Sequence, residues 1–364
     1  MLRLLFLTVS RLRGQGGKEA ALEMVSRGLA GRGHVVSVAF VGPCEDRTWE
    51  ARLPNLRVGA MPMAWRAARE HPVVAMTLIA DAVRAVRPDA VMVTEPGGAI
   101  LLRSACAIGR LPRPRVVSWL HGDVARNSFS QGLRWCDGHL AISRGIGEQL
   151  RAVARPGSPV DVVFNPIRDP GGPIPRPGDG SAVFVFCGRI EPQKRVDRLL
   201  RILALIKGLP WRLEMVGDGA LCGDMERLAE DLGIAGRITW HGWQADPWTR
   251  VSEATAFLMT SDSEGFPLVL LEAGARGIPA VAMDCRFGPS EIIEPGRNGW
   301  LVPLGADAEF QAVLRGICEG SVVMPPQQAV CAPVARYRLQ AVLDAIEDAL
   351  ERVTGPTIAG RGTA

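Results

Sequence analysis

Residues 2–41 read LRLLFLTVSRLRGQGGKEAALEMVSRGLAGRGHVVSVAFV: an apolar run, a glycine-rich turn, a helical segment and a second apolar run. Leu2–Ser10 has the near-continuous apolar character of a strand buried on both faces. After the turn, Ala21, Met24, Val25 and Leu29 recur at helical spacing, and Gly31 and Gly33 stop the helix. His34–Val41 then reads as a second strand. Strand, helix and strand in this order imply a parallel pair joined by a crossover. The opening apolar stretch also resembles a secretion signal. It lacks a small-residue cleavage site, however, and runs straight into the turn, so a buried first strand explains it better.

The same rhythm continues outward. Further strands are expected at Asp89–Thr94, Arg115–Leu120, His139–Ser143 and Val160–Phe164. Residues 165–180, NPIRDPGGPIPRPGDG, then hold too many prolines and glycines for a helix or a central strand, and read as a linker. Beyond it the alternation restarts, with strands expected at Ala182–Cys187, Arg212–Val216, Arg237–Trp240, Ala256–Thr260, Pro279–Met283 and Trp300–Val302. An amphipathic helix at about Val334–Leu350 precedes a polar tail. The expectation is an α/β chain of two Rossmann-like domains with parallel sheets facing across a cleft. Residues 1–165 form the first, 166–180 the hinge and 181–333 the second, with a C-terminal helix at 334–352 packing back on the first. Ligands of such sheets bind beyond the carboxyl ends of the strands.

Bulk composition fits two domains: 364 residues, 47 % of them hydrophobic, bury two cores comfortably. No apolar run approaches the roughly 18–20 residues that span a bilayer, so a cytoplasmic protein is expected. The eight cysteines form no C-x-x-C pair and read as buried, reduced thiols. Residues 1–165 carry 22 Lys and Arg against 13 Asp and Glu, while the remainder has 20 against 25. A basic N-terminal half points to an anionic partner, either a phosphorylated acceptor or a membrane surface contacted peripherally. The alternative is an arginine-biased composition without a partner. No nucleic-acid partner is expected.

Four motifs carry chemistry. In Ser263–Glu272, SEGFPLVLLE, two glutamates eight positions apart flank a Gly, a Pro and an apolar run. Pro267 suits the first position of a helix, whose free N–H groups and partial positive charge suit a diphosphate. Glu264 would then reach sugar hydroxyls and Glu272 ribose hydroxyls; a capped helix with solvated glutamates is the alternative. The second motif is Cys187–Arg195, CGRIEPQKR, after an apolar strand. Arg189 and Lys194 there can meet the negative charge that builds on a departing diphosphate. The chain has only three lysines, at 18, 194 and 207, so one in this place reflects a need for a compact charge. Third, Arg13–Glu19, RGQGGKE, fails as a dinucleotide fingerprint because Glu19 stands where the third glycine belongs. Its Gly16 and Gly17 still let backbone approach a sugar or phosphate. Fourth, His121 follows a strand in WLHGD. There is no D-x-D, no Walker lysine motif and no G-x-S-x-G.

Together the E-G-F-P…L-L-E-A stretch, the G-R-x-x-x-x-K stretch and the N-terminal G-G turn resemble glycosyltransferase family 4 over roughly residues 4–305. The resemblance implies retaining enzymes of the GT-B fold, with a nucleotide-diphosphate sugar as donor and no metal or other cofactor. Within that family Gly138–Leu150, Phe164–Pro166, Gln193–Val196, His241–Gln244, Pro247-Trp248 and Asp284–Ile293 resemble the members that move galactose from UDP-galactose to a lipopolysaccharide core. By this resemblance Gly188, Arg189 and Lys194 would hold the diphosphate, and the backbone at Gly265, Phe266, Pro267 and Leu268 would frame the distal phosphate through the N–H groups it has. Glu264 would contact the donor sugar and Glu272 the ribose. Gly242, Trp243 and Gln244 would edge the uracil, while Gly16, Gly17 and His121 approach the sugar from the other domain. A glycan or lipid-linked glycan is the implied acceptor. Two rivals stand beside this reading: a nucleotide-sugar epimerase on the same architecture, which would need no acceptor, and a catalytically silent sugar-nucleotide-binding subunit.

Overall fold

The computed structural model describes residues 1–14, 16–58, 72–127, 129–168 and 170–355. The chain divides into two compact units, one of Met1–Pro166 with Leu339–Ala364, the other of Ile167–Arg338.

In unit 1 the strands are β1 (Arg3–Thr8), β2 (Val35–Phe40), β3 (Leu56–Val58), β4 (Ala90–Val93), β5 (Arg115–Leu120), β6 (Gly138–Ala141) and β7 (Val160–Val162). All pair in parallel, in the order β3-β2-β1-β4-β5-β6-β7. Alternation along β1 splits its side chains between two covered faces. Leu5 and Leu7 join Val91 and Val93 under the helices Pro72–Val86 and Pro96–Ile108. Phe6 points the other way, its ring centroid 6.0 Å from that of Trp119. The helix Gly17–Gly31 closes the first crossover and packs against the C-terminal helix Leu339–Thr354. Gly28 is the close-contact point, since a Cβ there would lie 2.6 Å from Leu343. Arg32 and His34 bind Glu347 across the same seam, at 2.6 and 2.9 Å.

In unit 2 the strands are β8 (Ala182–Cys187), β9 (Trp211–Val216), β10 (Ile238–Trp240), β11 (Ala256–Met259), β12 (Ala280–Asp284) and β13 (Gly299–Pro303). They too are parallel, ordered β10-β9-β8-β11-β12-β13. Phe184, Phe186, Leu213 and Met215 pack under the helices Val196–Ala204, Cys222–Asp231 and Asp307–Glu319.

Three expectations need correction or addition. β3 was not foreseen. The helix expected from Val334 begins only at Leu339, because Ala332–Tyr337 is a 3₁₀ turn and the Tyr337 carbonyl accepts from the Ile167 N–H at 3.0 Å. A carbonyl committed to another strand-like segment is lost to a continuing helix. The Pro-rich stretch is also no free spacer, since residues 167–180 lie within unit 2. Ile174 is buried there, donating its N–H to the Arg276 carbonyl and accepting from Gln327.

Candidate active site

Both sheets reverse strand order once. In such a sheet the crossovers leave in opposite directions at the reversal, opening a crevice at the carboxyl ends of two neighbouring strands. In unit 2 the reversal lies between β8 and β11, and the two strongest motifs follow these two strands.

After β8 the backbone turns sharply at Gly188, whose φ is +158°. Arg189 extends outward, half exposed, with Nη1 3.1 Å from Glu191 Oε1. The 3₁₀ turn Pro192–Lys194 then brings Lys194 back toward the sheet. Its carbonyl and that of Arg195 accept from Thr260 Oγ1 at 3.1 and 3.0 Å. Asp262 donates its N–H to the Gln193 carbonyl at 2.9 Å, and the Gln193 amide donates to the Ser263 carbonyl. The loops after β8 and β11 are thereby stitched together. The result is an ion pair across the strand reversal: Lys194 Nζ lies 2.7 Å from Glu264 Oε1, with side chains only 16 % and 9 % exposed.

Gly265 and buried Phe266 lead from Glu264 into the helix Leu268–Ala275. The helix starts one residue later than expected. Pro267 is its N-cap, at φ −75° and ψ 94°, and not its first residue. No side chain caps this start, so its first-turn N–H groups keep the anion-binding capacity of a helix terminus. Gly288, after β12, packs beneath it: a Cβ there would meet Pro267 Cδ at 2.3 Å. Inside the helix, Glu272 Oε2 accepts from the Trp248 indole N–H at 3.0 Å. Burial pushes the Glu272 carboxyl above its ordinary range, against the opposing effects of that hydrogen bond and of Arg276 and Arg168.

Beyond β10, Gly242 takes φ +64° and its carbonyl accepts from Gly217 at 2.9 Å. Trp243 is half exposed, while Gln244 is tied to the His241 carbonyl at 2.8 Å and to Arg250 at 3.1 Å. Gly217 itself escaped the sequence reading. A Cβ on it would stand 1.9 Å from the Gly188 carbonyl oxygen, and its φ is +140°. Gly217→Ala is expected to cost unit 2 about 3 kcal/mol or more of stability, measured by denaturant unfolding. A loss under about 0.5 kcal/mol would mean that the two loops do not need to touch.

In unit 1 the reversal lies between β1 and β4. Gly16 is the N-cap of the first helix and Gly17 its first residue. Arg13 donates its N–H to Glu19 Oε1 at 3.1 Å, closing the turn from within. Here too a lysine and a glutamate meet across the reversal: Lys18 Nζ is 2.7 Å from Glu95 Oε1. Glu95 also accepts from Ser10 Oγ and from the Val9 N–H. Burial alone would raise the Glu95 carboxyl, but the Lys18 charge and these hydrogen bonds outweigh it and hold the group below its ordinary range. Neither residue was singled out from sequence. They lie 77 positions apart and no motif joins them.

His121 directly follows β5. Its two ring nitrogens are buried and find no partner among the described residues. A cavity of about 270 Å³ lies against it, lined also by Thr94, Asp123, Arg126 and Asn127. Burial first, and the Lys18 charge second, push the imidazole down to about 3. A neutral imidazole facing a polar cavity can donate to or accept from a hydroxyl. Among the described residues no three His, Cys, Asp or Glu side chains cluster as metal ligands, and no helix is long and apolar enough to cross a membrane.

Comparison with known proteins fits this geometry. The Salmonella typhimurium lipopolysaccharide 1,6-galactosyltransferase is 38 % identical over 214 residues, covering 57 % of this chain and 59 % of that protein. Its Escherichia coli counterpart is 39 % identical over 216 residues, again 59 % of its length. The alignments thus span under two thirds of these relatives. Among solved structures, the apo form of the lipopolysaccharide outer core galactosyltransferase WaaB superimposes with a TM-score of 0.82, at 26 % identity over 96 % of this chain and 99 % of that one. The Anabaena protein HepE, solved with UDP, shares the fold at a TM-score of 0.78 and 20 % identity, over 96 % of this chain and all of that one. Residues 15–169 match Glycosyltransferase Family 4 and residues 174–327 match Glycosyl transferases group 1. Two such domains in succession, each with its own reversed parallel sheet, place the chain in the glycosyltransferases of the GT-B fold.

Proposed function

We propose that the chain moves galactose from UDP-galactose onto a lipopolysaccharide core, with retention of configuration and without a metal ion. The observation that carries this reading is the Lys194–Glu264 pair across the β8/β11 reversal, beside an uncapped helix start. The named relatives support the donor and the acceptor. In the proposed reaction the bond from the anomeric carbon to the distal phosphate oxygen breaks, and its electron pair passes to that oxygen. Arg189, Lys194 and the N–H groups of Phe266 and Leu268 meet the growing charge. The acceptor hydroxyl attacks from the same face, and the departing phosphate oxygen takes its proton. Glu264 orients the sugar hydroxyls, Glu272 the ribose, and the Gly242–Gln244 loop the uracil. In unit 1, Gly16, Gly17 and neutral His121 are assigned to sugar hydroxyls.

Purified protein would be incubated, with EDTA present, with truncated lipopolysaccharide core and each of UDP-galactose, UDP-glucose, UDP-N-acetylglucosamine and GDP-mannose. The expected result is UDP release and a mass gain of one hexose with UDP-galactose alone. Activity with another donor overturns the galactose assignment, and dependence on added divalent cation overturns metal independence. Donor conversion without acceptor would turn the reading toward an epimerase.

A peripheral contact with an anionic membrane surface belongs to the same proposal. Between Pro96 and Cys136 the chain has six arginines and one acidic residue, Asp123, and Trp135 in this stretch is 55 % exposed. Arginines with an exposed indole suit an anionic interface. Salt-reversible binding to vesicles containing phosphatidylglycerol is expected, and equal recovery in the unbound fraction at low and high salt would overturn it.

A further inference from the structure

We propose that Trp248 is a positioning residue that fixes Glu272 in one orientation and so makes unit 2 selective for ribose over deoxyribose. The inference rests on the reading that unit 2 binds a UDP-sugar. Trp248 lies in the short 3₁₀ turn Pro247–Arg250, after β10, and is 6 % exposed. Its own N–H is held by Asp246 Oδ1 at 3.1 Å, and its ring centroid is 6.2 Å from that of Phe257. The indole N–H reaches 3.0 Å to Glu272 Oε2. The Arg276 guanidinium covers the indole at 4.8 Å from the ring centroid, and its Nη1 donates to the Glu272 carbonyl at 3.1 Å. Indole, guanidinium and carboxylate therefore form one unit, although the tryptophan and the glutamate stand 24 positions apart in the chain.

A buried indole N–H requires an acceptor, and here that acceptor is one specific carboxylate oxygen. The consequence runs the other way as well. An unrestrained glutamate side chain loses rotamer freedom when a ligand fixes it, a cost of up to about 2 kcal/mol. With Oε2 held, that loss has already occurred on folding, and Oε1 faces a ligand with a set direction. Among the described residues Oε1 accepts no hydrogen bond, and the side chain is not fully buried. A ribose hydroxyl donating to Oε1 completes the group; a deoxy sugar leaves a largely desolvated carboxylate oxygen without a partner. Sites built to bind a hydroxyl discriminate in this manner against analogues that lack it.

Binding of UDP, 2′-deoxy-UDP and 3′-deoxy-UDP would be measured by calorimetry. The intact protein is expected to prefer UDP over at least one deoxy analogue by about 10–100-fold, the range for a hydrogen bond to a charged group. Trp248→Phe retains a ring against Phe257 and Arg276 but removes the donor, and the preference is expected to fall below about fivefold. Trp248→His, which keeps a ring N–H, should retain more of it. In a Glu272→Ala background Trp248→Phe should have no further effect on the ratio, as required of a residue acting through Glu272. Should Trp248→Phe fail to fold, Trp248→Leu, which also lacks the donor, takes its place in the same comparison with and without Glu272→Ala. An unchanged preference in the folded variant that lacks the donor, or an additive effect in the Glu272→Ala background, overturns the inference, as does an intact protein that binds UDP without preference. Failure of the intact protein to bind UDP at all overturns the nucleotide reading instead.

Discussion

Lys194→Met is expected to lower the rate of transfer by about 10²–10³-fold, with a smaller change in the affinity for UDP. The figure follows from the place of the charge. Removing one preorganised group aimed at developing negative charge typically costs about 2.7–4 kcal/mol of transition-state stabilisation. Lys194 Nζ is fixed at the strand reversal by its contact with Glu264 and by the Thr260 clamp on its carbonyl. Arg189, half exposed and hydrogen-bonded among the described residues only to Glu191 two residues on, is less constrained, so its loss should cost less. The substitution has a second effect that must be separated from the first. Glu264, with 9 % of its side chain exposed, would keep its charge without a partner, and breaking such a pair destabilises the fold. Lys194→Met/Glu264→Gln removes both charges and is expected to recover the unfolding midpoint but not the rate. A double variant with wild-type turnover would make the pair a structural contact only. Lys194→Arg separates the remaining alternative: if any cation sufficed it would be active, whereas a guanidinium cannot occupy the compact site beside Glu264 in the same geometry.

The fold was legible in the sequence because parallel strands covered on both faces read as apolar runs. VFVF in β8 and LLFL in β1 leave no other assignment, and the strands predicted in both halves appear in the sheets. β3 did not declare itself, since Leu-Arg-Val is too short for any periodicity to show. The Pro-rich stretch was read by composition, which reports what a segment is unable to form and not what it packs against. Its two isoleucines, Ile167 and Ile174, are both buried and are the apolar residues that point to its packing. Within the site, contiguous motifs were visible and contacts between motifs were not. Each motif by itself assigns Lys194 to phosphate and Glu264 to sugar, and neither places the two 2.7 Å apart. Lys18 was noted only for its rarity, although it makes the equivalent bond to Glu95 across the other sheet's reversal. Trp248 and Glu272 were each quoted, but only the tertiary structure joins the indole to the carboxylate. Pairs separated by 70 or more residues are set by strand order, which no local pattern encodes.

Unit 1 is expected to lose about 4 kcal/mol of stability between pH 6.5 and pH 4.5, and two buried histidines are the reason. Burial, with help from the Lys18 charge, pushes His121 down to about 3. Burial likewise, with a contribution from Arg155 that outweighs the opposing pull of Asp137, pushes His139 down to about 4. His139 Nδ1 is bonded to Ser118 Oγ at 2.8 Å, and its Nε2 is buried without a partner among the described residues, so the folded unit has no place for a second ring proton. In the unfolded chain both imidazoles take up that proton below their ordinary value of 6.5. Through the interval the unfolded state therefore binds more protons than the folded one, and stability falls as the pH falls. Each site contributes roughly 2 kcal/mol by pH 4.5. At pH 4.5 the unfolded chain also protonates about half of its Glu95 carboxyl, which the folded unit holds low, and this adds only about 0.4 kcal/mol, so most of the slope belongs to the histidines. Urea unfolding of the intact chain, followed by a probe in unit 1, would measure it at the two pH values. His139→Asn should remove about half of the difference and His121→Asn the other half. The two substitutions then part company at neutral pH: the His139 ring bonds Ser118 in the interior, so its variant should retain transfer, whereas His121 faces the cavity at Thr94 and Asn127 and its variant should not. Equal stability at pH 6.5 and 4.5 would mean that the folded unit admits the protons and that burial does not hold the two imidazoles neutral.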